Sequence, residues 1–78
     1  MTLKIISAED ILFEGEVTSV SLPGTNGRFT VLKNHASLIS TLVEGNIVFT
    51  TSGGEEQERH VLGGLVDVDN NIVSVCIY

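Results

Sequence analysis

Basic residues, cysteine and tryptophan are scarce or absent in this sequence, and each shortage removes a class of explanation. Only Lys4, Arg28, Lys33 and Arg59 are basic, against ten acidic residues, so the formal net charge is −6. The four are scattered. Such a surface repels phosphate backbones and anionic lipid, which argues against nucleic-acid binding and direct membrane binding. Cys76 is the only cysteine, so no disulfide can form within the chain. With His35 and His60 as the only histidines, a Cys/His zinc site is not expected either. Tryptophan is absent and Tyr78 is the only tyrosine, so the aromatic platforms of a sugar-binding module are missing. No run approaches the ~20 apolar residues of a membrane span, and no apolar h-region follows the N-terminal Met-Thr-Leu-Lys. A lone thiol and no export signal fit a reducing cytoplasm.

Valine, leucine and isoleucine supply most of a hydrophobic fraction of 42%. This excludes a disordered chain, and β-branched residues favour a pleated sheet. No window longer than about ten residues holds an apolar repeat at helical spacing. Short apolar or alternating runs are expected as strands instead: Leu3 to Ile6, Ile11 to Phe13, Glu16 to Leu22, Arg28 to Leu32, Leu38 to Val43, Ile47 to Thr51, Gln57 to Leu62, Leu65 to Val68 and Ile72 to Ile77. Within Glu16 to Leu22, alternation predicts Thr18, Val20 and Leu22 on one face, with Val17, Ser19 and Ser21 on the other. Phe29 with Val31, Ile47 with Phe49, and Val73, Val75 and Ile77 are the expected core positions of later strands. Pro23 to Gly27, Ser52-Gly53-Gly54 and Asp69-Asn70-Asn71 read as turns, and Gly63-Gly64 as a bulge or a close backbone approach. Turn signals every eight to twelve residues or so indicate an all-β sandwich or barrel. There is no repeat or linker, so one domain fills residues 1–78.

The residues that carry chemistry are few. There is no Gly-x-Ser-x-Gly elbow, and serines, two histidines and carboxylates alone do not define a catalytic triad. Asp67-Val68-Asp69-Asn70-Asn71 begins like a calcium loop, but Ile72 stands where that loop needs glycine. Neither Gly63-Gly64 nor Gly24 to Gly27 leads into a helix as a phosphate cradle must. The chain is therefore expected to be non-catalytic, without cofactor or metal. His35, in a loop after a strand, is the residue that most invites a contact role.

Three segments, in order, resemble the epsilon subunit of F-type ATP synthases. Ile6-Ser7-Ala8-Glu9 followed by Leu12-Phe13-Glu14-Gly15-Glu16-Val17 is similar to the family's opening. Gly27-Arg28-Phe29-Thr30-Val31-Leu32-Lys33-Asn34-His35-Ala36-Ser37-Leu38 resembles its Gly-x-Phe-Gly-Ile-Leu-Pro-Gly-His-Ala-Pro-Leu signature. Leu62-Gly63-Gly64-Leu65-Val66-Asp67-Val68 resembles its Gly-Gly before an apolar strand. Lys33-Asn34 replaces the usual Pro-Gly. Asparagine tolerates positive φ, so that turn can survive.

The resemblance implies a two-sheet β-sandwich (a flattened barrel) of roughly ten short strands. It also implies a rotor subunit that binds gamma and meets the c-ring loops, on the cytoplasmic face of a bacterial inner membrane without inserting into it. Carried over by position, Ser7, His35 and Ser40 face gamma. Thr25, Asn26, Gly27 and Arg28 form the loop nearest the c-ring, with Arg28 at a place often acidic in relatives. The family's C-terminal helical pair, which senses ATP and brakes rotation, has no counterpart before Tyr78. An apolar patch near His35 and Ser40 is expected for gamma to cover. The competing readings are another protein-binding or carbohydrate-binding β-sandwich, and a cupin-type metalloenzyme. Two histidines 25 positions apart make the cupin a poor fit.

Overall fold

The computed structural model describes residues 1–78 as eight strands and no helix. These are β1 (Thr2–Ile6), β2 (Ile11–Gly24), β3 (Gly27–Leu32), β4 (Leu38–Leu42), β5 (Gly45–Thr51), β6 (Glu56–Val61), β7 (Gly64–Asp69) and β8 (Ile72–Ile77). One layer runs β4-β7-β8-β1 and continues into the first half of β2; the other runs β3-β2-β5-β6 through its second half. The fold is thus the expected β-sandwich, with eight strands instead of roughly ten.

Part of the difference lies in β2. Gly15 reads as an interruption in sequence, yet Ile11–Gly24 is one strand of 14 residues. At about 3.3 Å per residue, a straight strand of that length would reach about 46 Å. The longest dimension of the molecule is 27 Å, so β2 must bend. The bend coincides with a register shift between Val17 and Ser19 in its pairing with β5, where an extra residue turns the strand from one layer to the other. The shift also corrects the alternation expected for this segment. Val17 is buried alongside Val20 and Leu22, whereas Thr18 is exposed.

Fourteen apolar residues form the core. Leu3, Ile5, Leu42, Val66, Val68, Val73 and Val75 come from one layer; Val20, Leu22, Val31, Ile47, Phe49 and Val61 from the other; Val17 sits at the bend. Phe13 packs on Phe49 with ring centroids 4.4 Å apart. No polar or charged residue is buried.

The turns explain the glycines and asparagines. Asn70 and Asn71 take φ of 50° and 62°, the two positive values a tight primed hairpin turn requires between Asp69 and Ile72. Asn34 takes φ of 62°, as its place in the turn demands. Its N–H donates to Asn71 Oδ1 at 2.9 Å, which ties the β3–β4 loop to the β7–β8 hairpin. Gly64 is a close approach: a Cβ there would lie 2.3 Å from the Cys76 carbonyl oxygen.

Candidate functional site: an apolar sheet face and a pinned hairpin

Since the interior is wholly apolar, any function must reside on the surface. Strand register orders the outer face of the β4-β7-β8-β1 layer into rows. Thr41, Leu65, Cys76, Ile6 and Ile11 form one; Ile39, Asp67, Ser74, Lys4 and Glu14 the next; Asp69, Ile72, Thr2 and Glu16 the third. The face therefore grades from apolar at one end to acidic at the other.

Nine large apolar residues are exposed, and eight of them (Ile11, Leu12, Ile39, Val43, Leu62, Leu65, Ile72 and Tyr78) lie on this face or at its apolar end. Ile39 is 71% exposed and Leu62 67%. Tyr78 reaches this end because its N–H donates to the Gly63 carbonyl, at 3.2 Å, and its ring lies over Gly63. Scattered apolar side chains need no explanation, but a clustered set marks a contact surface. Sequence reading placed the patch near His35 and Ser40. Ile39 beside Ser40, and the exposed Leu32 and Ile72 beside the His35 loop, match that expectation, whereas the other members gather at the Ser7 end.

The acidic end is partly neutralised. Lys4 Nζ lies 3.7 Å from Glu14 Oε2. Ser37 Oγ donates to Asp69 Oδ1 at 2.6 Å. Glu16 accepts from the Thr2 hydroxyl and lies near the Met1 ammonium. The Thr2 hydrogen bond holds the Glu16 carboxyl below its ordinary value; desolvation opposes it, and the positive terminus adds to the lowering. An open groove beside β4 and β7 is lined by Ser37, Leu38, Ile39, Asp67, Val68 and Asp69.

The expected gamma-facing residues are spread along this layer. Ser7 follows β1 at the apolar end, where its N–H donates to the Asp10 carbonyl at 2.9 Å. His35 sits in the β3–β4 loop at the acidic end, with Nδ1 2.7 Å from the Ala36 carbonyl oxygen. A carbonyl only accepts, so Nδ1 carries the proton. Ser40 is half-buried on the inward side of β4, opposite Val66, and its hydroxyl donates to the Thr41 carbonyl at 3.0 Å. Ser7, His35 and Ser40 thus span the layer and form no single cluster.

Thr25, Asn26, Gly27 and Arg28 belong to the β2–β3 hairpin. Neither Thr25 nor Asn26 has positive φ, and Gly27 takes it instead at 122°. Thr25 fastens the tip to β4, its N–H and hydroxyl both donating to the Thr41 carbonyl at 3.1 and 3.0 Å. The tip therefore stands beside the apolar end of the face. Arg28 folds back: Nε donates to Ser21 Oγ at 2.8 Å and Nη2 to the Asn46 carbonyl oxygen. Asn46 in turn contacts His60 Nδ1 at 2.9 Å, and His60 Nε2 lies 3.2 Å from Glu44 Oε2. Arg28 is thus a clamp across β3, β2 and β5, a role the sequence did not reveal.

A small β-sandwich with an apolar interior, one apolar-to-acidic outer face and a pinned hairpin at its edge is built as a binding module. Residues 1–77 match the family described as "ATP synthase, Delta/Epsilon chain, beta-sandwich domain", and the chain belongs to that family. It is 39% identical over 70 residues to the ATP synthase epsilon chain of Chlorobaculum tepidum, covering 90% of this chain and 80% of that protein. It is 41% identical over 71 residues to the ATP synthase epsilon chain of Bradyrhizobium sp. (strain ORS 278), covering 91% of this chain but only 52% of that protein. The chain thus spans about half the length of some relatives and most of another. Among solved structures, a chain of the Euglena gracilis mitochondrial ATP synthase superposes with a TM-score of 0.89 at 19% identity, covering 96% of this chain and 48% of that one. A chain of the Tetrahymena thermophila mitochondrial ATP synthase central stalk and c-ring gives 0.79 at 12% identity, covering 99% and 62%. These two likenesses establish the shared fold.

Proposed function

We propose that the chain is a non-catalytic central-stalk subunit of an F-type ATP synthase, coupling ion flow to ATP synthesis by binding gamma and contacting the c-ring. The observation that carries this reading is the family match over residues 1–77. In this assembly gamma covers the outer face of the β4-β7-β8-β1 layer, from Ser7 at the apolar end to His35 at the other. Ser40 contributes at the edge strand β4. The c-ring loops meet Thr25, Asn26, Gly27 and Arg28, where the internal hydrogen bonds of Arg28 stiffen the hairpin. The complex lies at the cytoplasmic face of a bacterial inner membrane, with this subunit peripheral to it.

Burial of Ile39, Leu65 and Leu12 would supply affinity, and the acidic rows would select a partner surface of opposite charge. The test is binding of purified gamma to the wild-type chain and to Leu65→Asp. Leu65 is already 45% exposed, so the fold should survive while affinity falls at least about tenfold, roughly 1.4 kcal/mol. Wild-type binding to gamma that Leu65→Asp leaves unchanged would move the interface elsewhere. No binding to gamma, and no ATP synthase chains recovered with tagged protein from native membranes, would remove the functional reading altogether.

A further inference from the structure

Five asparagines occur in the chain, and their surroundings differ. Asn46 is held at both ends of its amide, with Nδ2 donating to Glu58 Oε1 at 3.3 Å and Oδ1 facing His60. Asn71 Oδ1 accepts the Asn34 N–H. Asn26 alone is followed by glycine. It is exposed at the β2–β3 tip, where the side-chain hydrogen bonds are made by its neighbours Thr25 and Arg28 and not by its own amide. Gly27 is also exposed, and no atom stands within 4 Å of where a Cβ would be. No side chain therefore crowds the Asn26–Gly27 peptide on the Cα side of Gly27.

We propose that Asn26 is a spontaneous deamidation site that converts the hairpin tip to an aspartyl or isoaspartyl form. The Gly27 peptide nitrogen, on losing its proton, attacks Asn26 Cγ. A Cγ–N bond forms, the Cγ–Nδ2 bond breaks, and ammonia leaves carrying the proton. Water then opens the five-membered imide. Cleavage of the new bond to Cγ gives aspartate in the normal chain, and cleavage at the main-chain carbonyl gives isoaspartate, with the backbone rerouted through Cγ. Nothing is oxidised or reduced; the net change is amide plus water to carboxylate plus ammonium.

Both products add one negative charge to a tip whose only cation, Arg28, is already committed to Ser21 and Asn46. The isoaspartyl form also lengthens the backbone by one carbon between Gly24 and Gly27, the pair that closes the ladder. The consequence for a c-ring contact rests on the function proposed above; the chemistry does not, so it is tested on the free chain. The folded protein is incubated in mildly alkaline buffer for days and sampled by isoelectric focusing, peptide mass mapping and labelling with an isoaspartyl-specific methyltransferase. The expected result is an acidic shift of one charge, mapped to the peptide carrying Asn26 and lost in Asn26→Ser. Earlier conversion at Asn34, Asn46, Asn70 or Asn71 would overturn the proposal. So would conversion of Asn26 in urea but not in the folded chain, because the fold would then be protecting the site.

Discussion

Asn34 and Glu16 are both exposed, yet each is constrained, one by its backbone dihedral and the other by the groups around its carboxylate. At Asn34 the constraint is the backbone: a φ of 62° disfavours any residue with a branched or apolar Cβ. Asn34→Val should cost about 1–2 kcal/mol in urea denaturation, while Asn34→Gly should be nearly neutral. Equal costs for the two would mean that the lost side chain matters and the dihedral does not. At Glu16 the constraint is electrostatic. The Thr2 hydroxyl, and then the positive terminus, favour the carboxylate and lower its pKa in the folded state. The unfolded chain therefore binds the proton more readily, and stability rises with pH through the acid range. The contribution is complete above the ordinary carboxylate range and lost as pH falls through the folded value. Melting temperatures of wild type and Glu16→Gln should differ near neutrality and converge in acid; a gap independent of pH would refute this origin.

Strand pairing governs what the elements tolerate. Gly64 begins β7 against Ile77, and an added methyl would meet the Cys76 carbonyl at 2.3 Å. Gly64→Ala should destabilise by about 1–3 kcal/mol, as overpacking does. Gly53→Ala, where the nearest atom is 3.9 Å away, should change the midpoint little. Pairing also decides how much could be read from the sequence. Ile47 with Phe49 and Val73 with Val75 were legible because two-residue alternation survives wherever a ladder is regular. Thr18 was not, since the shift that turns it outward is set by β5, some thirty positions away. The unity of β2 was hidden for a similar reason: Gly15 looks like an interruption, but it keeps its place in the ladder opposite Leu3. The apolar face was illegible as a unit. Ile6, Ile11, Ile39, Leu65 and Cys76 become neighbours only through four separate pairings.

At the scale of the molecule, a 78-residue domain has little stability to spare. Phe49 is fully buried, packs against the tilted ring of Phe13, and has the Arg59 guanidinium 5.7 Å from its ring centroid. Phe49→Ala should cost about 3–5 kcal/mol, much of what such a domain possesses. A partner that binds only the folded chain should recover part of that loss, in proportion to the logarithm of its concentration. Calorimetry of the variant with and without gamma would show this as a rising midpoint; a midpoint indifferent to gamma would contradict it. The bent β2 strand has a mechanical counterpart. A push on the hairpin tip travels along one covalent backbone that serves both layers, so the layers are displaced together. Sliding one over the other would require that backbone to deform at Val17 to Ser19. The sandwich should therefore respond to torque as a stiff wedge, with its compliance concentrated in the edge strand β6, which pairs only with β5.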